Sequence, residues 1–149
     1  MFQEAIAQYL KQNHYESIQL KSVLFDMDGV LFDSMPYHAE AWHKTMKAHG
    51  LNLSREEAYM HEGRTGAGTI NIVCQRQLGR DATQEEIESI YLEKSIEFNK
   101  HPQAERMPGA WELLQKIKAE GIIPTVVTGS GQASLLDRLE HNFPGMFRQ

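Results

Sequence analysis

The chain has 149 residues, the usual size of one domain or of a core with a modest insertion. Its 41% hydrophobic and 23% charged residues are typical of a soluble globular protein. A net charge of −5 without a long basic run argues against nucleic acid or an anionic membrane as a partner. The single cysteine, Cys74, excludes an intramolecular disulfide, fits a reducing cytoplasm and is expected in the core.

The N-terminal stretch predicts a helix and not a targeting segment. Residues 1–17 are polar and partly acidic, without the basic start and apolar centre of a signal peptide, and contain no membrane span. Phe2, Ile6, Tyr9 and Leu10 recur at helical spacing, which predicts a packed amphipathic helix. Cytoplasmic localisation is therefore the expectation.

An apolar run that ends in two aspartates follows. Five of the residues 18–25 are apolar (Ile18, Leu20, Val23, Leu24 and Phe25), and the stretch is interpreted as a strand in a sheet covered on both faces. Asp26-Met-Asp28-Gly29 comes at once after it. Because a charge at the tip of a buried strand is costly unless it is paired, these two carboxylates need a physical reason.

Residues 36–101 carry helix patterns and no strand pattern. Two helices are predicted over 37–49 and 69–78. Two more are predicted to start at the capping-box sequences Ser54–Glu57 and Thr83–Glu86. This part of the chain is therefore expected to be a helical block.

Beyond residue 102 helix and strand patterns alternate. A helix opened by Pro108 is followed by the apolar strand IIPTVV, a turn at 128–131 and a last helix. Strand, insertion, helix, strand, helix predicts parallel strands and a right-handed crossover. Two strands are too few for an ordinary covered sheet, so the sequence looks cut short. The predicted inward-facing side chains of the two helices are Trp111, Leu114, Ile117, Leu135, Leu136 and Leu139.

Polar residues follow both predicted strands: Asp26 and Asp28 the first, Thr128, Gly129 and Ser130 the second. Ligands of open parallel sheets bind at the carboxyl ends of the strands, so neighbouring strands would bring both groups together. Two carboxylates repel unless a cation or a proton lies between them, and Mg²⁺ prefers carboxylates plus phosphate oxygens. The hydroxyl and the backbone N–H groups of the turn at 128–131, at the N-terminus of the next predicted helix, could bind a phosphate. The pattern indicates phosphoryl transfer through an aspartyl-phosphate, with plain turns as the alternative.

The stretch VLFDMDGVLFDS, residues 23–34, resembles the first motif of the haloacid dehalogenase superfamily of phosphotransferases, and TVVTGSG resembles its second. YHAEAW and ERMPGAWELL are most similar to the β-phosphoglucomutase-like branch. The resemblance implies an α/β fold, a Rossmann-like parallel sheet core (incomplete in this chain) with an inserted α-helical cap. It divides the chain into a helical extension at 1–17, a core of 18–35 and 102–149, and a cap at 36–101.

The resemblance also implies roles for the residues at the two strand ends. Asp26 would be the nucleophile that takes the phosphoryl group. Asp28 would be the general acid and base, and would bind Mg²⁺ through its backbone carbonyl beside the Asp26 carboxylate. Thr128, Gly129 and Ser130 would bind the phosphoryl oxygens.

Four further residues receive an expectation from the same resemblance. The backbone N–H groups of Met27 and Gly29 would point at the transferring phosphate. His38 would lie close to the substrate at the cap hinge, with a packing role as the alternative. Arg64 would hold a second anionic group of the substrate, with a solvated arginine as the alternative. No histidine spacing indicates zinc.

The family's charge-neutralising lysine and its additional acidic metal ligands are expected after a later strand. No lysine follows Lys118 in this sequence. A chain of these residues alone is therefore expected to bind Mg²⁺ weakly and to be poorly active.

The leading interpretation is a Mg²⁺-dependent enzyme for a small phosphorylated metabolite, a sugar phosphate above all. Phosphatase (hydrolase) and β-phosphoglucomutase-like phosphomutase (isomerase) both stay open, because the outcome depends on how the cap excludes water. The alternative is a non-catalytic or inactive fragment whose unpaired sheet edge needs a partner or a further segment. A signalling receiver domain fits poorly, since such domains lack a helical insertion after the first strand.

Overall fold

The computed structural model of the chain describes residues 2–129 and 135–147; the side chains of Phe2 and Leu135 are outside that description. Within this part, no helix is long and apolar enough to cross a membrane. The elements in chain order are α1 (Phe2–Gln12), β1 (Ser22–Phe25), α2 (Met35–Ala48), α3 (Arg55–Met60), α4 (Gly66–Leu78), α5 (Gln84–Asn99), α6 (Ala110–Ala119), β2 (Ile123–Val126) and α7 (Leu135–Asn142).

The two strands pair in parallel, as the order of the elements predicts. Ser22 lies opposite Ile123, and Phe25 lies opposite Val126. Strand β1 is shorter than the apolar run 18–25, because only its last four residues have a partner strand. The expectation of a sheet covered on both faces is wrong for this chain, since the side chain of Leu24 is 67% exposed.

One hydrophobic core packs under the covered face of this sheet. Phe25 contributes from β1, Leu114 from α6, and Leu139 and Phe143 from α7 and the residues after it. The side chains of α6 pack as predicted. Leu136 departs from the prediction of a buried stripe, because it is 56% exposed on the outer face of α7.

A second hydrophobic core lies within the helical block. Helix α2 packs against α3 and α5, and α4 packs against α5. Met46, Ile70, Val73 and Ile90 are fully or almost fully buried there. Cys74 is buried in the same core, as predicted, and burial raises the pKa of its thiol.

Local capping defines where the helices of the block begin. The hydroxyls of Ser54 and Thr83 accept from backbone N–H groups, and Thr83 forms a complete capping box with Glu86. Helix α4 begins at Gly66, three residues earlier than its apolar pattern predicts, because the Thr65 hydroxyl caps it.

Helix α1 forms where the sequence predicts a helix, but two side chains of its predicted apolar face are half exposed. Ile6 and Tyr9 are each 50% exposed. The expectation of a packed amphipathic helix is therefore wrong for these two side chains.

Candidate active site

The pairing of β1 with β2 brings the two polar strand ends to one cavity. The N–H of Val127 donates to the carbonyl of Phe25 at 2.8 Å, which extends the pairing by one step. Asp26 follows β1 directly, and Thr128 follows β2 after one residue. The cavity walls include Asp26, Asp28, Thr128 and Gly129 from the strand ends, and His38 and Arg64 from the helical block. Ser130 lies outside the described residues.

A tight turn after β1 sets the positions of the aspartates. The N–H groups of Leu31 and Phe32 both donate to the carbonyl of Met27, at 3.0 Å each. Gly29 has a φ of +75°, a left-handed conformation that favours glycine. The buried side chains of Met27, Leu31 and Phe32 anchor the turn to the core below.

The backbone donors of this turn are engaged within the chain. The N–H of Gly29 donates to the carbonyl of Phe32 at 2.8 Å, and that of Met27 donates to Asp26 Oδ1 at 2.7 Å. The expectation that the N–H of Gly29 points at the transferring phosphate is therefore wrong for this conformation, whereas the N–H of Met27 is directed at the Asp26 carboxylate.

The two carboxylates have different surroundings. Asp26 is exposed at the cavity, and its Oδ1 accepts from the N–H of Met27. Asp28 is partly buried, accepts from the Ser34 hydroxyl at 2.5 Å and lies 3.3 Å from His38 Nε2. Burial alone would raise the pKa of Asp28, but the interactions with His38 and Ser34 and the charge of Arg138 together hold it below its usual value.

His38 is held between Asp28 and a lysine that the sequence interpretation missed. Lys94 Nζ lies 2.7 Å from His38 Nδ1. Because an ammonium group only donates, Nδ1 accepts, and a neutral His38 ring carries its proton on Nε2, the nitrogen nearest Asp28. The ring of His38 stacks on Phe98 at a centroid distance of 4.1 Å, which fixes its plane. Lys94 and Phe98 therefore hold His38 toward Asp28.

Lys94 is 5% exposed, which is unusual for a lysine. Its Nζ lies 5.4 Å from the ring centre of Trp42 and 5.0 Å from that of Phe98. Burial lowers its pKa to about 8, and the charge of Asp28 offsets part of that effect. A sequence signal existed: the apolar residues Ile90 and Phe98 stand four positions before and after Lys94, so the three side chains share one face of α5.

A second cation near the site comes from α7. The guanidinium carbon of Arg138 lies 4.2 Å from the ring centre of Phe32, and burial lowers its pKa while the charge of Asp28 raises it. The prediction of α7 considered only its apolar stripe and so did not include this residue.

The cavity therefore brings together six of the residues that the sequence singled out: Asp26, Asp28, His38, Arg64, Thr128 and Gly129. Gly29 lies close to the helical block: a Cβ at this position would lie 2.7 Å from Glu62 Oε1. The cavity thus lies between the strand ends and the segment that joins α3 to α4. Such an arrangement can hold a phosphate ester with its phosphate near Asp26 and its organic part near the helices.

The comparison with family models assigns this fold and site to a class. Residues 20–148 match the model of the haloacid dehalogenase-like hydrolases. The chain belongs to this family, as the motifs at the two strand ends predict.

Three proteins show which members of this family the chain is similar to. A solved structure from Bacteroides vulgatus, provisionally named a β-phosphoglucomutase, is 70% identical to this chain, with a TM-score of 0.93. The match covers 99% of this chain and 59% of the Bacteroides vulgatus chain. Hexitol phosphatase A of Escherichia coli K12 is 30% identical over 129 residues, which are 87% of this chain and 56% of that protein. Protein CbbY of Rhodobacter capsulatus is 28% identical over 123 residues, 79% of this chain and 54% of that protein. The chain thus spans about half the length of the curated relatives it matches.

Proposed function

We propose that the chain carries the nucleophile and the phosphate-binding residues of a Mg²⁺-dependent phosphotransferase for a phosphorylated sugar or polyol. The observation that carries the proposal is the meeting of Asp26, Asp28 and Thr128 in one cavity at the carboxyl ends of two paired parallel strands. The name of the hexitol phosphatase and the provisional name of the Bacteroides vulgatus protein support this substrate class.

Asp26 is the proposed nucleophile because its carboxylate is exposed at the cavity. Its oxygen would attack phosphorus, the ester P–O bond would break, and the departing alcohol would take a proton from Asp28. Asp28 would then take a proton from a water molecule or a second hydroxyl, which would attack phosphorus and release Asp26. Thr128, Gly129 and Ser130 would bind the phosphoryl oxygens, with His38 and Arg64 on the substrate side.

The surroundings of Asp28 favour the second step of this reaction, in which Asp28 accepts a proton. Its pKa is held low, so in the free protein it is a carboxylate that is ready to accept a proton. The first step needs the protonated acid. A bound phosphate dianion nearby would raise the pKa of Asp28 and favour that form. Ser34, which donates to the carboxylate, would keep it oriented in both steps.

The donor set fits a hard divalent cation. In residues 2–129 and 135–147 no three His, Cys, Asp or Glu side chains group as a metal site. Mg²⁺, however, is commonly held by one or two carboxylates with water and substrate oxygens. The Asp26 carboxylate and the backbone carbonyl of Asp28 would hold it, and bound Mg²⁺ would neutralise charge on the phosphoryl group.

The helical block would serve as a cap over this site. We propose the division into an extension at 1–17, a core of 18–35 and 102–149, and a cap at 36–101, with one hydrophobic core in each of the two larger parts. A cap that excludes water would favour transfer to a sugar hydroxyl, and an open cap would favour hydrolysis.

The test is product analysis with Mg²⁺ on glucose 1-phosphate and sorbitol 6-phosphate. Free phosphate indicates a phosphatase, and glucose 6-phosphate indicates a mutase. Asp26→Asn should lower the rate on the order of 10⁴-fold or more, because it removes the nucleophile. Asp33→Asn is the matched control: Asp33 is exposed on the same segment and should leave the rate unchanged. Equal rates for both variants would refute Asp26 as the nucleophile.

A second candidate, a fragment without activity of its own, is favoured by the exposed sheet face. Leu24, Ile123 and Val127 on that face are 67%, 49% and 55% exposed. Such a fragment would require polypeptide that its relatives contain and this chain does not match. No product with Mg²⁺ on either substrate would favour this candidate.

A further inference from the structure

His61 is a cavity residue that the proposed reaction does not use. It is the C-cap residue of α3, and the Thr65-capped helix α4 begins five residues later. Its side chain is only 13% exposed and lines the same cavity as Asp26 and Asp28. The end of α3 therefore carries an imidazole in the part of the cavity that belongs to the helical block.

The ring nitrogens of His61 are not satisfied within the described part of the chain. Both Nδ1 and Nε2 are buried without a hydrogen-bond partner there. Nε2 lies 3.6 Å from Glu57 Oε1, which is longer than a hydrogen bond, and that carboxylate is itself paired with Arg76. A buried donor or acceptor without a partner costs free energy and needs an explanation.

A purely structural role would give the ring a partner, as it does for other histidines of the helical block. His43 Nδ1 lies 2.7 Å from the carbonyl of Leu53. His49 Nε2 lies 3.0 Å from Glu93 Oε2. His61 differs from both, because it faces a cavity and its Nδ1 has neither a backbone nor a side-chain partner among the described residues.

We propose that His61 is a specificity-determining residue whose Nδ1 binds a hydroxyl group of the substrate's organic part. This inference rests on the proposed function and extends it to polyhydroxylated phosphate esters. A hydroxyl can donate or accept, so it satisfies either tautomer of the ring.

The aromatic surroundings support an organic group at this place. Trp42 and Tyr91 line the cavity together with His61, and their ring centres are 6.5 Å apart. Carbon-bound faces of a sugar or polyol can pack on such rings, while its hydroxyl groups need polar partners such as His61.

The experiment compares a ligand that carries hydroxyl groups with one that lacks them. Binding of sorbitol 6-phosphate and of propyl phosphate is measured by calorimetry without Mg²⁺, so that neither ligand is turned over, for wild type, His61→Leu and His61→Gln. His61→Leu should weaken the binding of sorbitol 6-phosphate about fivefold to tenfold, because one hydrogen bond is lost, and should leave the binding of propyl phosphate unchanged. His61→Gln should recover part of the loss because its amide also donates and accepts.

The exposed His49 supplies the control variant, His49→Asn, which should bind both ligands as wild type does. In wild type, the imidazole NMR signal assigned to His61 should shift with sorbitol 6-phosphate and not with propyl phosphate. Since this readout uses the unaltered chain, misfolding of a variant does not decide the result. An unshifted His61 signal, equal shifts with both ligands, or no binding of sorbitol 6-phosphate would overturn the inference.

Phosphate release is measured separately, so that the two proposals can fail independently. Binding that depends on His61 without phosphate release or transfer would contradict the proposed function alone. Release from sorbitol 6-phosphate that is indifferent to His61→Leu, together with an unshifted His61 signal, would contradict the inference alone.

Discussion

Lys94 is a buried cation whose partners explain why it is tolerated. The side chain of this residue contacts His38 and two aromatic rings, and its charge lies near Asp28. These contacts replace part of the hydration that an ammonium group loses on burial. They do not replace all of it, since the pKa is still lowered from 10.5 to about 8.

This shift predicts a dependence of stability on pH. Below pH 8, Lys94 is protonated in both the folded and the unfolded chain, and burying its charge lowers the free energy of unfolding. Between pH 8 and 10.5, only the unfolded chain holds the proton, so the free energy of unfolding rises with pH. Relative to Lys94→Met, the wild type should gain about 3 kcal/mol over this range. Urea unfolding at several pH values between 7.5 and 10.5 measures the difference.

Lys116→Met is the control, because Lys116 is exposed on α6. Its stability should run parallel to that of wild type over the same pH range. Parallel curves for Lys94→Met as well would mean that the buried ammonium is not destabilised by its surroundings.

The residues that could be predicted differ from Lys94 in a physical respect. Asp26, Asp28 and Thr128 stand at strand ends, where a local pattern and the topology of a parallel sheet determine their place. Lys94 acquires its role through burial between α2 and α5, which depends on how two helices pack. His61 is similar, since a buried ring without a hydrogen-bond partner among the described residues is recognised only once the cavity is known.

At the scale of elements, the start of α4 is fitted closely to α5. A Cβ on Gly66, the first residue of α4, would lie 2.3 Å from the Tyr91 ring. A Cβ on Gly68, in the same turn, would meet only the Thr65 hydroxyl at 3.2 Å. The ring of Tyr91 thus requires glycine at position 66 and tolerates more at position 68.

The two glycines predict opposite effects of the same substitution. Gly68→Ala should be neutral or stabilise by up to about 1 kcal/mol, because alanine favours the helix. Gly66→Ala should destabilise by about 1 to 3 kcal/mol, because the ring must move out of its packed position. Urea unfolding and the NMR signals of the Tyr91 ring measure both. An unmoved ring in Gly66→Ala would show that the contact is not close in solution.

The first residues of helices that are capped by a nearby side chain could be predicted from the sequence, whereas the lengths of the strands could not. The caps at Ser54 and Thr83 depend on residues three positions apart, so the sequence alone identifies them. The extent of β1 depends on which residues find a partner in β2, and an apolar run does not contain that information. The start of α4 was missed because Gly66 and Gly68 weaken a helical pattern that the cap at Thr65 still begins.

At the scale of the whole molecule, the site lies between two hydrophobic cores while one sheet face is uncovered. Alternation along β1 and β2 places Val23 and Phe25 against the core and Leu24 on the other face. The chain covers 59% of the Bacteroides vulgatus relative, with which it shares 70% identity and a TM-score of 0.93. The exposed face is therefore expected to accept polypeptide like that in the remaining part of the relative.

Co-expression tests this expectation with the part of the Bacteroides vulgatus chain that has no counterpart in this one. A one-to-one complex should form and should release or transfer phosphate faster than the 149-residue chain alone. Leu24→Asp should abolish the complex, because a charge would be buried on the apolar face. Leu92→Asp is the matched control, since Leu92 is 62% exposed on α5 in the helical block. A complex that forms equally well with Leu24→Asp would mean that this face is not where the second segment binds.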